Sequence, residues 1–168
     1  PSRRQRQMCI RDSFYRVHVV TNRDLMHKIY ALTETRPGSG QFNTQVLANI
    51  LLVFQKVDTN DEHKERVKAV QTPECVKRDY YMSIGIASGM ACLVANQLGY
   101  RTGYCACFDP KKVDEVMGLP ESDFNTVVTL GIGYPDPTKE YWENQIPEPS
   151  TRFPRVRPKE TIEVNYIE

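Results

Sequence analysis

Residues 79–98 constrain what this chain can fold into more than any other stretch. They have the length and apolar content of a helix, yet Ser83, Gly85, Ala87, Ser88, Gly89, Ala91, Cys92 and Ala95 are all small. A glycine inside a helix costs about 1 kcal/mol relative to alanine, and Gly85 and Gly89 stand one turn apart. Close approach of another backbone offsets that cost. The neighbour is either a partner helix or the ordinary core of the same chain, and the residues alone leave both open.

Other apolar patterns surround this helix. Arg16-Val17-His18-Val19-Val20-Thr21 is a β-branched run suited to a strand. Asn22 then offers an N-cap for the periodic Leu25, Met26, Ile29 and Leu32, and Arg36-Pro37-Gly38-Ser39-Gly40 ends that helix. Asn49-Ile50-Leu51-Leu52-Val53-Phe54 is apolar from Ile50 onward, as a strand buried on both faces is. Residues 58–74 carry Asp58, Asp61, Glu62, Glu65 and Glu74 without apolar periodicity and read as a surface excursion. Asp109 before Pro110 caps a helix over 111–117 that Gly118 ends. Residues 126–132 form a third strand and 161–166 a fourth, with a Pro-rich surface segment, 135–158, between them. Strands alternating with helices predict an α+β or α/β domain.

With 168 residues, 40% of them hydrophobic, the chain holds one core. Its 22 basic and 21 acidic side chains favour no nucleic-acid partner, and no run reaches the roughly 20 apolar residues of a membrane helix. Five cysteines without a regular framework fit reduced thiols in the cytoplasm. Residues 3–12 coincide with one reading frame of a common tagmentation sequencing adapter. Residues 1–13 are therefore expected to be adapter-derived, leaving a domain over 14–168 with a net charge near −2 and four cysteines.

Several chemical constellations fail. Gly131-Ile132-Gly133 runs into Tyr134-Pro135, which cannot open the helix a dinucleotide fingerprint needs, and reads as a turn. Cys105-Ala106-Cys107 lacks a second ligand pair for zinc, so no metal is expected, and reads as loop or buried thiols. His18, His27 and His63 stand apart from any nucleophile motif. No catalytic acid, base or nucleophile can be assigned. Arg155-Val156-Arg157 remains: in an extended stretch both guanidinium groups point the same way, as a phosphate grip requires, although two solvated arginines are the commoner arrangement.

In order along the chain, five segments resemble the nitroreductase family of FMN enzymes. They are Tyr15 to Thr21, the small-residue helix, a loop and short helix over Gly99 to Pro120 with Cys107-Phe108-Asp109-Pro110 and Gly118-Leu119-Pro120, then Leu130-Gly131-Ile132-Gly133-Tyr134-Pro135, and Arg155-Val156-Arg157. The resemblance implies an α+β, three-layer domain: a central mixed sheet, flanking helices, and a C-terminal strand reaching across a homodimer built on the small-residue helix. It implies electron transfer from NAD(P)H to nitroaromatic, quinone or similar acceptors by a ping-pong flavin mechanism without a catalytic side chain. Tyr104, Cys105, Ala106 and Cys107 would lie at the flavin ring, and Arg155 and Arg157 at the FMN phosphate.

The chain also departs from the family pattern. Ala106-Cys107 stands where the family has Gly or Glu-Gly, Tyr15 replaces a Trp, and the N-terminal Arg-x-Ser-x-Arg is missing. A non-catalytic flavin- or partner-binding module, or a fragment too incomplete to hold FMN, is the alternative.

Overall fold

The computed structural model describes residues 15–34, 37–57, 72–119 and 126–135. The strand β1 (Tyr15–Val20) leads into the helix α1 (Arg23–Ala31), and a 3-10 turn (Thr44–Leu47) precedes the strand β2 (Ile50–Lys56). The long helix α2 (Pro73–Gln97) runs into the strand β3 (Arg101–Cys105), then come the helix α3 (Pro110–Met117) and the strand β4 (Thr126–Gly133). The sheet order is β1-β2-β4-β3, and every pairing among these strands is antiparallel. No parallel pairing occurs among the described residues, so the expected mixed sheet is not seen there; the strand expected over 161–166 and residues 136–158 of the Pro-rich segment lie outside them.

The apolar run of β2 divides between two cores, because side chains alternate across a strand. Leu51 and Val53 are fully buried with Met26, Ile29, Val46, Cys105 and Val113, which places α1, the 3-10 turn and α3 on one face of the sheet. On the other face Phe54 and Leu130 pack against Ile84 of α2, with Leu52, Ala87 and Ala91 around them. Three layers result, with the expected α+β architecture. Burying a side chain the size of Leu51 or Phe54 contributes about 1.5–3 kcal/mol, so β2 and its two cores hold the layers together.

Local chemistry sets the helix ends. The Asn22 side chain accepts the Leu25 N–H at 3.0 Å and Asp109 accepts the Lys111 N–H at 3.0 Å, while Gly118 ends α3 at φ 66°, a left-handed conformation that glycine adopts without strain. Four expectations need correction. α2 begins at Pro73, capped by Thr72 through the Cys75 N–H, so Glu74 belongs to the helix and not to a surface excursion. Residues 101–105, read only as part of a loop, form β3. α1 ends at Ala31, before the residues expected to stop it. Gly131 and Gly133 lie within β4 and do not form a turn; glycine is needed at 131 because a Cβ there would collide with the backbone carbonyl of Gln45.

Candidate functional site

β3 delivers the candidate site. Its residues alternate, so Gly103 and Cys105 face the α1 layer while Thr102 and Tyr104 face α2. The strand ends at Cys105, after which Ala106 and Cys107 are exposed, and Asp109 caps α3 three residues beyond Ala106. The expected residues Tyr104, Cys105, Ala106 and Cys107 are thus contiguous at one end of an edge strand, in three different settings. Arg155 and Arg157 lie outside the described residues.

Cys105 is 3% exposed and packs in the core, so its side chain is not open to a ligand and only its backbone could take part. Burial pushes its thiol above the ordinary value; the Cys107 N–H directed at it works in the opposite direction. Its carbonyl accepts the Thr129 hydroxyl at 3.2 Å. The loop therefore leaves from a fixed point. Tyr104 keeps 43% of its surface exposed, yet its hydroxyl end lies against α2, where burial chiefly raises the phenol and a bond to Ser88 partly offsets this.

A polar clasp that the sequence reading did not find joins α2 to β3. Ser88, Cys92 and Asn96 recur every four residues and line one side of α2. Cys92 Sγ and Thr102 Oγ1 are 3.1 Å apart, and Asn96 Nδ2 donates to Thr102 Oγ1 at 2.9 Å and to the Cys92 carbonyl at 2.8 Å. The available signal was a four-residue polar period before Gly99 and a two-residue one after it. Neither carries meaning until β3 is known to be a strand.

The outward side of α2 is apolar and uncovered. Met82, Ile86, Met90 and Leu93 are 42–60% exposed, and an added Cβ at Gly85 or Gly89 would meet nothing within 4 Å. Toward the C-terminal end of α2 a cavity of about 410 Å³ opens between Ala91, Val94, Leu98, Ile50, Ile132 and Tyr134. Among the described residues no group of His, Cys, Asp or Glu could hold a metal ion, and no helix is long and apolar enough to cross a membrane.

No family model and no curated protein matches the sequence. Solved structures do match. A nitroreductase family protein from Clostridium novyi is 20% identical over 80% of this chain and 73% of its own, at a TM-score of 0.56. A candidate nitroreductase from Exiguobacterium sibiricum, solved in complex with FMN, is 14% identical over 88% of this chain and 84% of its own, at a TM-score of 0.58. A candidate oxidoreductase from Bacteroides fragilis is 17% identical over 80% of this chain at a TM-score of 0.56, and this chain spans only 56% of its length. At these identities the likeness is one of fold: the chain has the fold of nitroreductase family structures.

Proposed function

We propose that the chain is the flavin-binding domain of an FMN-dependent oxidoreductase that takes electrons from NAD(P)H and passes them to nitroaromatic, quinone or similar acceptors in a ping-pong cycle. The observation that carries this reading is the fold, shared with proteins described as nitroreductases, one of them solved with FMN. Ala106 and Cys107 support a place at the cofactor's ring edge, since both are exposed at the end of β3 and neither carries a charged or bulky side chain. Bound FMN would supply the hydride acceptor and donor, so the protein needs no acid, base or nucleophile of its own.

In this reading the backbone N–H groups of 106–107 orient the ring and Arg155 with Arg157 hold the phosphate. A buried Cys105, fixed through Thr129, keeps the loop from drifting. A homodimer forms on the outward face of α2, where Gly85 and Gly89 admit a second backbone and Met82, Ile86 and Met90 would be buried. Free thiols at Cys75, Cys92, Cys105 and Cys107 suit the reducing cytoplasm.

One observation favours the alternative of an incomplete fragment: the chain spans 56% of one structural neighbour and 73% of another. Two measurements separate the readings. Bound FMN after purification distinguishes a flavoprotein from an empty fragment, and oxidation of NADH or NADPH coupled to a nitroarene or quinone distinguishes an enzyme from a flavin-binding module. A colourless protein that binds no added FMN would rule out the proposal for this chain.

A further inference from the structure

We infer that Thr102 is a positioning residue: held by Cys92 and Asn96, it sets the angle at which β3 presents the loop 106–108. Among the described residues β3 is an edge strand of five residues paired with β4 alone, and it follows α2 after only Leu98, Gly99 and Tyr100. Gly99, at φ 86°, turns the chain, so the helix-to-strand angle is set by whatever ties the two elements together beyond the turn. The Thr102 hydroxyl is the node of that tie, 2.9 Å from Asn96 Nδ2 and 3.1 Å from Cys92 Sγ, and Asn96 is itself fixed by the Cys92 carbonyl at 2.8 Å.

The opposite face of β3 adds a restraint of a different kind. Gly103 leaves room for Gln45 and so permits close packing, but a glycine has no side chain with which to hold the strand in place. The polar side chains on the α2 face fix its tilt together with the β4 ladder and the Thr129 hydroxyl bound to the Cys105 carbonyl. At about 3.3 Å per residue, the start of the loop at residue 106 lies roughly 13 Å along the chain from Thr102, so a swing of about 4° at the clasp displaces it by about 1 Å. Misplacement by about 1 Å can cost on the order of 100-fold in a positioned reaction.

Only the consequence for flavin rests on the function proposed above; the geometric claim is independent of it. Thr102→Val keeps the shape of the side chain and removes the hydroxyl, Thr102→Ser restores the hydroxyl, and Asn96→Ala breaks the clasp from an exposed helix position where folding is retained. Amide spectra of the flavin-free protein are the first readout. The resonances of 106–108 should move in Thr102→Val and Asn96→Ala and return in Thr102→Ser. Movement confined to the neighbours of residue 102 would overturn the inference.

FMN titration of the same proteins is the second readout. Misplacing the backbone N–H groups of the loop should forfeit about one hydrogen bond to the flavin and weaken binding about tenfold in Thr102→Val, with a shifted flavin midpoint potential and recovery of both in Thr102→Ser. Unchanged affinity and potential in Thr102→Val would overturn the consequence for flavin. If the unsubstituted protein binds no FMN, the proposed function fails while the amide spectra still decide whether Thr102 positions the loop.

Discussion

Gly103 and Gly131 are register partners on β3 and β4, and together they clear the space that Gln45 of the 3-10 turn occupies. A Cβ at 103 would lie 2.5 Å from Gln45 Cγ, and one at 131 would run into the Gln45 backbone carbonyl. A glycine pair thus seats the turn on the sheet directly beside the strand that carries the candidate site.

Gly131→Ala should destabilise the protein by about 1–3 kcal/mol, the usual cost of forcing atoms into a packed interior. Gly103→Ala should cost less, because it displaces a side chain and not a carbonyl. Denaturant midpoints of the two variants check the order; equal midpoints would mean that the turn moves freely.

Asp114 of α3 is 6% exposed and accepts both the hydroxyl of Thr126 and, at 3.4 Å, its N–H. Thr126→Val leaves the buried carboxylate short of a donor. A loss of about 1–3 kcal/mol follows, measurable as a lower midpoint with an unchanged denaturant slope.

Cys105 gives a pH dependence with a definite sign. Its folded pKa is raised above the ordinary 9.0, chiefly by burial, so the unfolded chain ionises first as pH rises. Stability from this group is intact below pH 9.0 and declines above it, with Tyr104, raised from 10.0, adding to the decline at higher pH. Unfolding between about pH 8 and about 10.5 should show the fall, and Cys105→Val should flatten its lower part. An identical profile in Cys105→Val would contradict the assignment. At pH 8, a thiol reagent should label exposed Cys107 well before buried Cys105.

Much of this arrangement could be read from the residues, for reasons that are local. Asn22 and Asp109 cap their helices from within three residues, and the unbroken apolar run of β2 requires cover on both faces. β3 could not be read, since Arg-Thr-Gly-Tyr-Cys has no apolar alternation. Its place in the sheet comes from contacts distant in sequence, with Gln45 on one face and α2 on the other. The need for a glycine at 131, inside the strand expected over 126–132, was hidden for the same reason: the carbonyl that demands it comes from residue 45. Of the candidate site, the loop cysteines were identified as residues, but the burial of Cys105 and the exposure of Cys107 emerged only with the fold.

Gly89→Leu separates folding from assembly. Nothing lies within 4 Å of a Cβ at 89, and leucine favours a helix over glycine by roughly 0.5–1 kcal/mol, so the single chain should be as stable or more so. A second backbone approaching α2 would meet the new side chain. Sedimentation should show the unsubstituted protein as a dimer and the variant as a folded monomer; a dimeric variant would place the interface elsewhere.

Titration of the purified chain with FMN tests the proposed function most directly, with Arg157→Ala and Arg152→Ala measured alongside. Arg155 and Arg157 stand two residues apart in the sequence, and Arg152 stands outside that pair. Charged hydrogen bonds contribute about 1.5–3 kcal/mol each, so Arg157→Ala should weaken FMN binding about tenfold or more while Arg152→Ala leaves it unchanged. No binding by the unsubstituted chain, or equal affinities in the two variants, would contradict the assignment of a flavin site held by this arginine pair.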